Sequence, residues 1–419
     1  MSVELAWQLL CAALVIFMTP GLAFFYGGLV KAKSVVSMMM LSFGSIAVVT
    51  ILYVLYGGTG IAGNGTSGGS QFFGNPFEDF GMTSLASGAA GEETANLFGG
   101  HAFLVAFCII TVALVSGAVA DRARFWPWMI FAALFSTFVV FPTFRWIWGI
   151  DAEGNFYGWL ANNVYGLGAA LDWAGGTVIH QSAGAAALAL ALVLGRRKVG
   201  FSKEETVAHN VPLVLIGAAI LWFGWFGFNT GVFGAGEGQT SLIFLNTLLA
   251  PAAAMIGWLV VEQFKDGKPT AVGAASGIVT GLVAITPACA FLTPVWALVL
   301  GLVAGAICAV AIELKFKLGF DDTLDVVGIH LVAGFIGCLW VGIFGSADLV
   351  GRDTILDGLG FAQFGAQLLS SITVIAFSFV IAYVIGFAIE KTIGFRATEE
   401  DEVAGIDTVL HEPGYSELG

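Results

Sequence analysis

Residues 174–195 read AGGTVIHQSAGAAALALALVLG and run directly into Arg196, Arg197 and Lys198. The stretch carries no Asp, Glu, Lys or Arg, and about 20 apolar residues are what a helix needs to cross the hydrocarbon of a bilayer. Its glycines, alanines and serine suit a helix packed closely against others, since small side chains let backbones approach in lipid. The run is continuous and does not alternate, which argues against a strand of a membrane barrel. His180 is the one ionisable residue in it, and an ionisable group inside a span marks a pathway by default.

Outward from this stretch, similar runs lie near 5–29, 35–57, 100–120, 125–148, 211–232, 242–264, 271–288, 294–315, 326–345 and 363–390. They predict an all-α polytopic membrane protein with eleven transmembrane helices. Composition agrees, with 58% hydrophobic and only 11% charged residues, where a soluble protein carries about 25% charged. The net charge of -13 does not call for a basic partner, because most carboxylates fall in loops and in the tail from Glu399 to Glu417. No basic stripe is present, so no nucleic-acid partner is expected. Cys11, Cys108, Cys289, Cys308 and Cys338 all sit in apolar runs without ligand spacing and read as small core residues. No metal site, cofactor or disulfide framework is expected. Met1 to Trp7 lack the basic stretch of a cleavable signal peptide and lead into the first span, which is therefore expected to be retained.

Orientation follows from the cations. With the N-terminus outside, Lys31, Lys33, Arg122, Arg124, Arg196, Arg197, Lys198, Lys203, Lys265, Lys268, Lys315, Lys317, Lys391 and Arg396 share one side, leaving Arg145 and Arg352 on the other. The positive-inside rule puts the crowded side and the C-terminus in the cytoplasm, which requires an odd number of spans. Residues 1–395 are thus expected to form the membrane domain and 396–419 a cytoplasmic regulatory tail. In the outer loop from Gly57 to Gly99, Phe72, Phe73, Phe77 and Phe80 suggest packing over the outer mouth rather than a solvated linker.

The two halves echo each other. Phe24-Phe25-Tyr26-Gly27-Gly28 ends the first span and Trp225-Phe226-Gly227-Phe228-Asn229 the sixth; Asp172 precedes His180, and Asp325 precedes His330. Five spans followed by five more are inverted relative to each other, and such repeats place a substrate site near the midplane. Two histidines at matching positions point to a pathway role, because an imidazole donates from one nitrogen and accepts at the other. A pair sharing one hydrogen bond passes small polar molecules or relays a proton. Asp172 reads equally as a stabiliser of a nearby cation and as the cap of the helix that follows. Asp325 reads as the corresponding cap of the tenth span. Phe107, Trp148 and Phe228 lie near the outer ends of their spans, where a small cation can rest against aromatic faces.

The motifs around these residues are specific. Asp172-Trp173-Ala174-Gly175-Gly176-Thr177-Val178-Ile179-His180 and Asp325-Val326-Val327-Gly328-Ile329-His330 resemble the two histidine motifs of the Amt/Mep/Rh ammonium transporter family. Phe25-Tyr26-Gly27-Gly28, Gly224-Trp225-Phe226-Gly227-Phe228-Asn229, His209-Asn210-Val211-Pro212, Thr286-Pro287-Ala288-Cys289 and, in part, Gly405-Ile406-Asp407 with His411 are also similar to it. Trp148 favours the Amt/Mep branch. The resemblance implies a homotrimer with eleven spans and one pore per subunit in the cytoplasmic membrane, and ammonium as substrate. By position it implies an outer recruitment site of Phe107, Trp148 and Asp172, and a stacked gate of Phe107 and Phe228 with Phe103 in the vestibule. The pore histidines become His180 and His330, with Phe25, Tyr26, Trp225 and Thr286 lining the pore.

Three positions depart from the family pattern. Val232 stands where many bacterial members place a serine, Gln181-Ser182 replaces a common Ile-Asn, and Leu331 a common Gly. Loss of one charge-assisted hydrogen bond at Val232 lowers outer affinity by about 1.5–3 kcal/mol. The resemblance implies that ammonium is recruited outside and deprotonated, and that ammonia passes the histidines while the proton crosses separately. The rival readings are an electroneutral ammonia channel and an ammonium sensor with little flux; the short tail without an appended kinase or cyclase domain disfavours the sensor. P-II-type signalling proteins dock on the cytoplasmic face in the family, and the tail here suits that regulation. No nucleophile with a base appears, so an enzyme is not expected.

Overall fold

In lipid every backbone N–H and C=O must be satisfied within its own segment, and the apolar runs accordingly form helices. A computed structural model describes residues 2–63, 70–88, 91–149, 156–202, 207–232, 235–412 and 414. The apolar helices are α1 (Val3–Leu29), α2 (Ala32–Ala62), α3 (Thr94–Val119), α4 (Phe125–Trp148), α5 (Gly176–Leu194), α6 (Val211–Thr230), α7 (Glu237–Lys265), α8 (Ala271–Ile285), α9 (Pro294–Leu318), α10 (Val327–Phe344) and α11 (Ala362–Thr392). All but α8 are long and apolar enough to cross a membrane. Among the described residues there is no strand, only isolated bridges. The expected run over 271–288 is helical only to Ile285 and ends in tight turns through Leu292, where Pro287 has no N–H to continue the ladder.

Helix packing relies on close approach. α1 lies along α6, α7 along α9 and α5 along α11. A Cβ on Gly217 would stand 2.3 Å from the backbone nitrogen of Phe25, and one on Gly301 would stand 2.1 Å from the carbonyl of Ala250, so a side chain at either would force these helix pairs apart. The outward face is apolar: Ile51, Phe223, Phe264, Val295 and Val384 are each more than half exposed, as expected of a surface solvated by lipid.

One end of the bundle gathers the cations. Arg197 Nε pairs with Asp321 at 2.9 Å and its Nη1 with Asp121 at 3.3 Å. Arg122 donates to the Asp321 carbonyl and to Thr323 Oγ1, both at 2.6 Å. These contacts join the α3–α4, α5–α6 and α9–α10 connections. Burial raises the Asp321 carboxyl, but Arg122 and Arg197 outweigh it and hold the group below the usual carboxylate range. A carboxyl lowered on folding contributes stability above its unfolded pKa and loses it as pH falls through the folded value. The cluster therefore contributes fully at neutral pH and gives way only below about pH 4. Asp321→Asn leaves a buried guanidinium short of its partner and is expected to cost about 3 kcal/mol, read by denaturation in detergent at pH 7; an unchanged midpoint contradicts it.

The tail seats on the same end. Arg124 N–H donates to Phe395 O at 3.0 Å and Ala397 N–H to Arg122 O at 2.8 Å. Two short helices follow, α12 (Glu399–Ala404) and α13 (Ile406–Leu410). Glu402 of α12 pairs with Arg396 at 2.6 Å, and Asp407 of α13 accepts from Val36 and Ser37 N–H, capping α2. Lys203 and residues 415–419 lie outside the described residues, as do parts of the outer loop.

At the opposite end α2 continues past Gly57 to Ala62 through a π-helical turn. The outer loop is held by its backbone: Arg145 Nε donates to Ser70 O and Trp146 Nε1 to Phe72 O, each at 2.8 Å. Of the four phenylalanines expected to pack over the mouth, Phe72 meets another ring, that of Trp159, at 5.3 Å with the planes tilted by 54°. Phe73, Phe77 and Phe80 are 37%, 76% and 49% exposed, because backbone carbonyls rather than rings tie this segment down.

Candidate functional site

Aromatic rings of α3, α4 and α6 form a row. Phe103 and Phe107, one turn apart on α3, have centroids 4.5 Å apart. Phe107 stacks on Phe228 of α6 at 4.2 Å and 23°, and its third ring neighbour is Trp148 at 5.9 Å. Phe144, which the sequence did not mark, meets Trp148 edge-on at 4.9 Å; its place one turn before Trp148 was the available signal. With centroids this close, Phe107 and Phe228 are in van der Waals contact, and any passage between them requires the rings to move.

Beneath this pair lie the histidines. The His180 ring is 6.2 Å from Phe228 and 5.4 Å from Trp225, stacked within 17° of the latter. His180 Nδ1 and His330 Nδ1 are 3.2 Å apart and the rings are inclined by 20°. One Nδ1 must donate and the other accept, so the pair shares one hydrogen across this contact. His180 Nε2 is buried and has no hydrogen-bond partner among the described residues. Trp225 is fixed by donation from Nε1 to Thr286 Oγ1 at 2.8 Å, which joins α6 to the turn after α8.

Both histidines sit in π-helical turns, Gly176–Gln181 and Val327–Leu331. Such turns are rare and cluster at functional sites. Each turn is capped by an aspartate eight residues before its histidine. Asp172 accepts from the N–H groups of Gly175, Gly176, Thr177 and Val178 at 2.6–3.2 Å, so both its oxygens face the helix rather than an open vestibule. Its carbonyl takes Trp148 Nε1 at 2.8 Å. In the second turn the cap is Asp322, bonded to Val326 and Val327 N–H at 3.1 and 2.7 Å. The expectation that Asp325 caps this helix is corrected: its backbone is left-handed at φ 63°, and its carboxylate binds Lys315 Nζ at 2.6 Å. Equal spacing from the histidines would have picked out Asp322.

Three further expected residues have their own local contacts. Tyr26 donates to Leu114 O at 3.0 Å and lies against Gly117 and Val326. Phe25 is buried beside it, with centroids 6.0 Å apart. Val232 is partly buried at the end of α6. The structure thus brings Phe103, Phe107, Trp148, Phe228, Trp225, Thr286, His180 and His330 into one connected row, with the Asp172 carbonyl bonded to Trp148.

The profile of the Ammonium Transporter Family matches residues 6–415. The chain is similar to ammonium transporters of Mycobacterium tuberculosis (44% identity, covering 98% of this chain and 90% of the relative) and Bacillus subtilis (39%, covering 97% of each). Among solved structures it is similar to one described as a sensor Amt protein, with a TM-score of 0.87 and 26% identity over 100% of this chain and 98% of that one. It is also similar to Mep2 of Candida albicans, with a TM-score of 0.82 and 30% identity over 95% of this chain and 87% of that one.

Proposed function

As this chain belongs to the ammonium transporter family and is a multi-pass protein of the cell membrane that transports ammonium, we propose how it does so: ammonium is held outside by aromatic faces, loses its proton at the Phe107–Phe228 gate, and crosses as ammonia past His180 and His330. The observation that carries this reading is the unbroken row of rings that ends in the two imidazoles 3.2 Å apart. Trp148 and Phe107 attract the cation through their faces, an effect that strengthens once water is excluded. The Asp172 charge favours a cation at the mouth while its oxygens serve the backbone. A bare potassium ion then meets the cost of leaving water, which ammonium avoids by shedding its charge. The proton follows by a separate relay.

The same reading extends to architecture. We take all eleven apolar helices to span, with α8 the short one, the N-terminus outside and the C-terminus cytoplasmic. Paired contacts support an inverted repeat of α1–α5 and α6–α10: α1–α3 with α6–α8, α2–α3 with α7–α8, α2–α4 with α7–α9, and α3–α5 with α8–α10. Matching π-turns and matching aspartate caps support it further. Residues 396–419 serve as a regulatory tail, three copies of the chain form a trimer, and a P-II-type protein is the cytoplasmic partner.

Trp148→Leu tests recruitment. Loss of about 1 kcal/mol of cation–π attraction raises the half-saturating ammonium concentration about fivefold, measured by uptake into liposomes. An unchanged half-saturation sinks the outer site. The fold similarity to the sensor Amt structure favours one second reading, an ammonium sensor; calorimetric binding of ammonium without uptake is the result that selects it.

A further inference from the structure

We infer that the residue after each pore histidine is a positioning residue, Gln181 for His180 and Leu331 for His330, and that together they form a reciprocal clasp holding the two imidazoles in register. The inference rests on the reading of the histidine pair as the conduction path.

A π-turn carries an extra residue relative to an α-turn and has poorer hydrogen bonding, so neighbours must hold it. His180 N–H reaches back to Gly175 O at 3.0 Å in this way. Gln181 is fully buried, and its Nε2 donates to Gly334 O of α10 at 3.2 Å and to Ser371 Oγ of α11 at 3.1 Å. Gly334 stands four residues after His330. A Cβ there would lie 2.9 Å from Gly176 O, 3.2 Å from His180 Cβ and 3.4 Å from Gln181 Cγ. The glycine is therefore a notch that admits the first π-turn.

The opposite half repeats the arrangement. Gly184 stands four residues after His180, and a Cβ on it would lie 2.6 Å from both the Cβ and the backbone nitrogen of Leu331. Each residue following a histidine thus enters the glycine notch four residues beyond the other histidine. One side is tied by hydrogen bonds and the other by apolar packing. A buried glutamine keeps such bonds because an amide donor left unpaired away from water is costly. The contacts of Gln181 and Leu331 are with Gly334, Ser371 and Gly184 on α10, α11 and α5, so the clasp governs how the imidazoles face each other and hence the rate of passage, not the capture of ammonium.

The test uses the full chain in liposomes, with Gln181→Leu, Leu331→Gly, Ser371→Ala and the double Gln181→Leu/Ser371→Ala. His180→Ala and His330→Ala run in parallel. Gln181→Leu and Leu331→Gly each lower maximal ammonium flux on the order of tenfold, as misplacement of a functional group does, with half-saturation unchanged. Ser371→Ala lowers it less, and the double variant is no worse than Gln181→Leu, because both act through one bond. Ser371→Ala removes a single hydroxyl and carries the test where Gln181→Leu does not fold. Wild-type flux in Gln181→Leu and Leu331→Gly, or a raised half-saturation with maximal flux kept, overturns the clasp while the histidine variants are impaired. If the histidine variants themselves keep wild-type flux and selectivity, the conduction reading falls and the clasp with it.

Discussion

Replacing His180 with alanine is expected to lower the ratio of ammonium to potassium current on the order of a hundredfold. The imidazole lies between Trp225 and His330, and its removal is expected to leave space that water enters. A hydrated passage lets a cation cross without surrendering its shell. Recovering only about 2.7 kcal/mol of a desolvation cost that runs to several kcal/mol per ion is enough for that ratio. The measurement is current across a supported membrane carrying the reconstituted variant, with each salt in turn. Loss of ammonium current while potassium stays excluded contradicts the account, since selectivity would then reside elsewhere.

The second large effect belongs to Asp172. Its carboxylate serves four backbone N–H groups at the buried start of α5. Asp172→Ala strands those four donors, and at about 1–3 kcal/mol for each unsatisfied group the loss is at least about 4 kcal/mol, measured by denaturation in detergent. Asp172→Asn separates the cap from the charge. An amide oxygen keeps part of the cap, so stability falls less than for alanine, while half-saturation by ammonium rises because the attracting charge is gone. Unchanged half-saturation in Asp172→Asn reduces the residue to a cap.

The long helices and the two span histidines were legible in the sequence for simple reasons, while the row of rings was implied by the family resemblance. Hydropathy over about 20 residues reports lipid exposure directly, and a histidine inside such a run stands out against it. The local conformation around Asp322 was not legible. Two aspartates lie within reach of the α10 start, and which one caps it depends on the left-handed backbone of Asp325 and on Lys315 drawing its carboxylate away. The same holds for α8, whose apolar run continues past Ile285, where the helix stops. The outer phenylalanines misled because an aromatic composition says nothing of whether rings or carbonyls anchor a loop. Gln181 and Leu331 were visible as departures beside the histidines, but their partners Gly334 and Gly184 depend on how α5 crosses α10, which no local pattern encodes. The partner of the Tyr26 hydroxyl, Leu114 O on α3, likewise depends on how α1 crosses α3.

The central claim is that ammonium gives up its proton and crosses as ammonia between the imidazoles. Current and uptake recorded together from reconstituted wild-type protein, with ammonium, methylammonium and potassium in turn, test it most directly. The account predicts uptake and inward current with ammonium and methylammonium, and neither with potassium. Ammonium uptake without current contradicts the separate proton relay, and a potassium current matching that of ammonium contradicts passage as the neutral molecule.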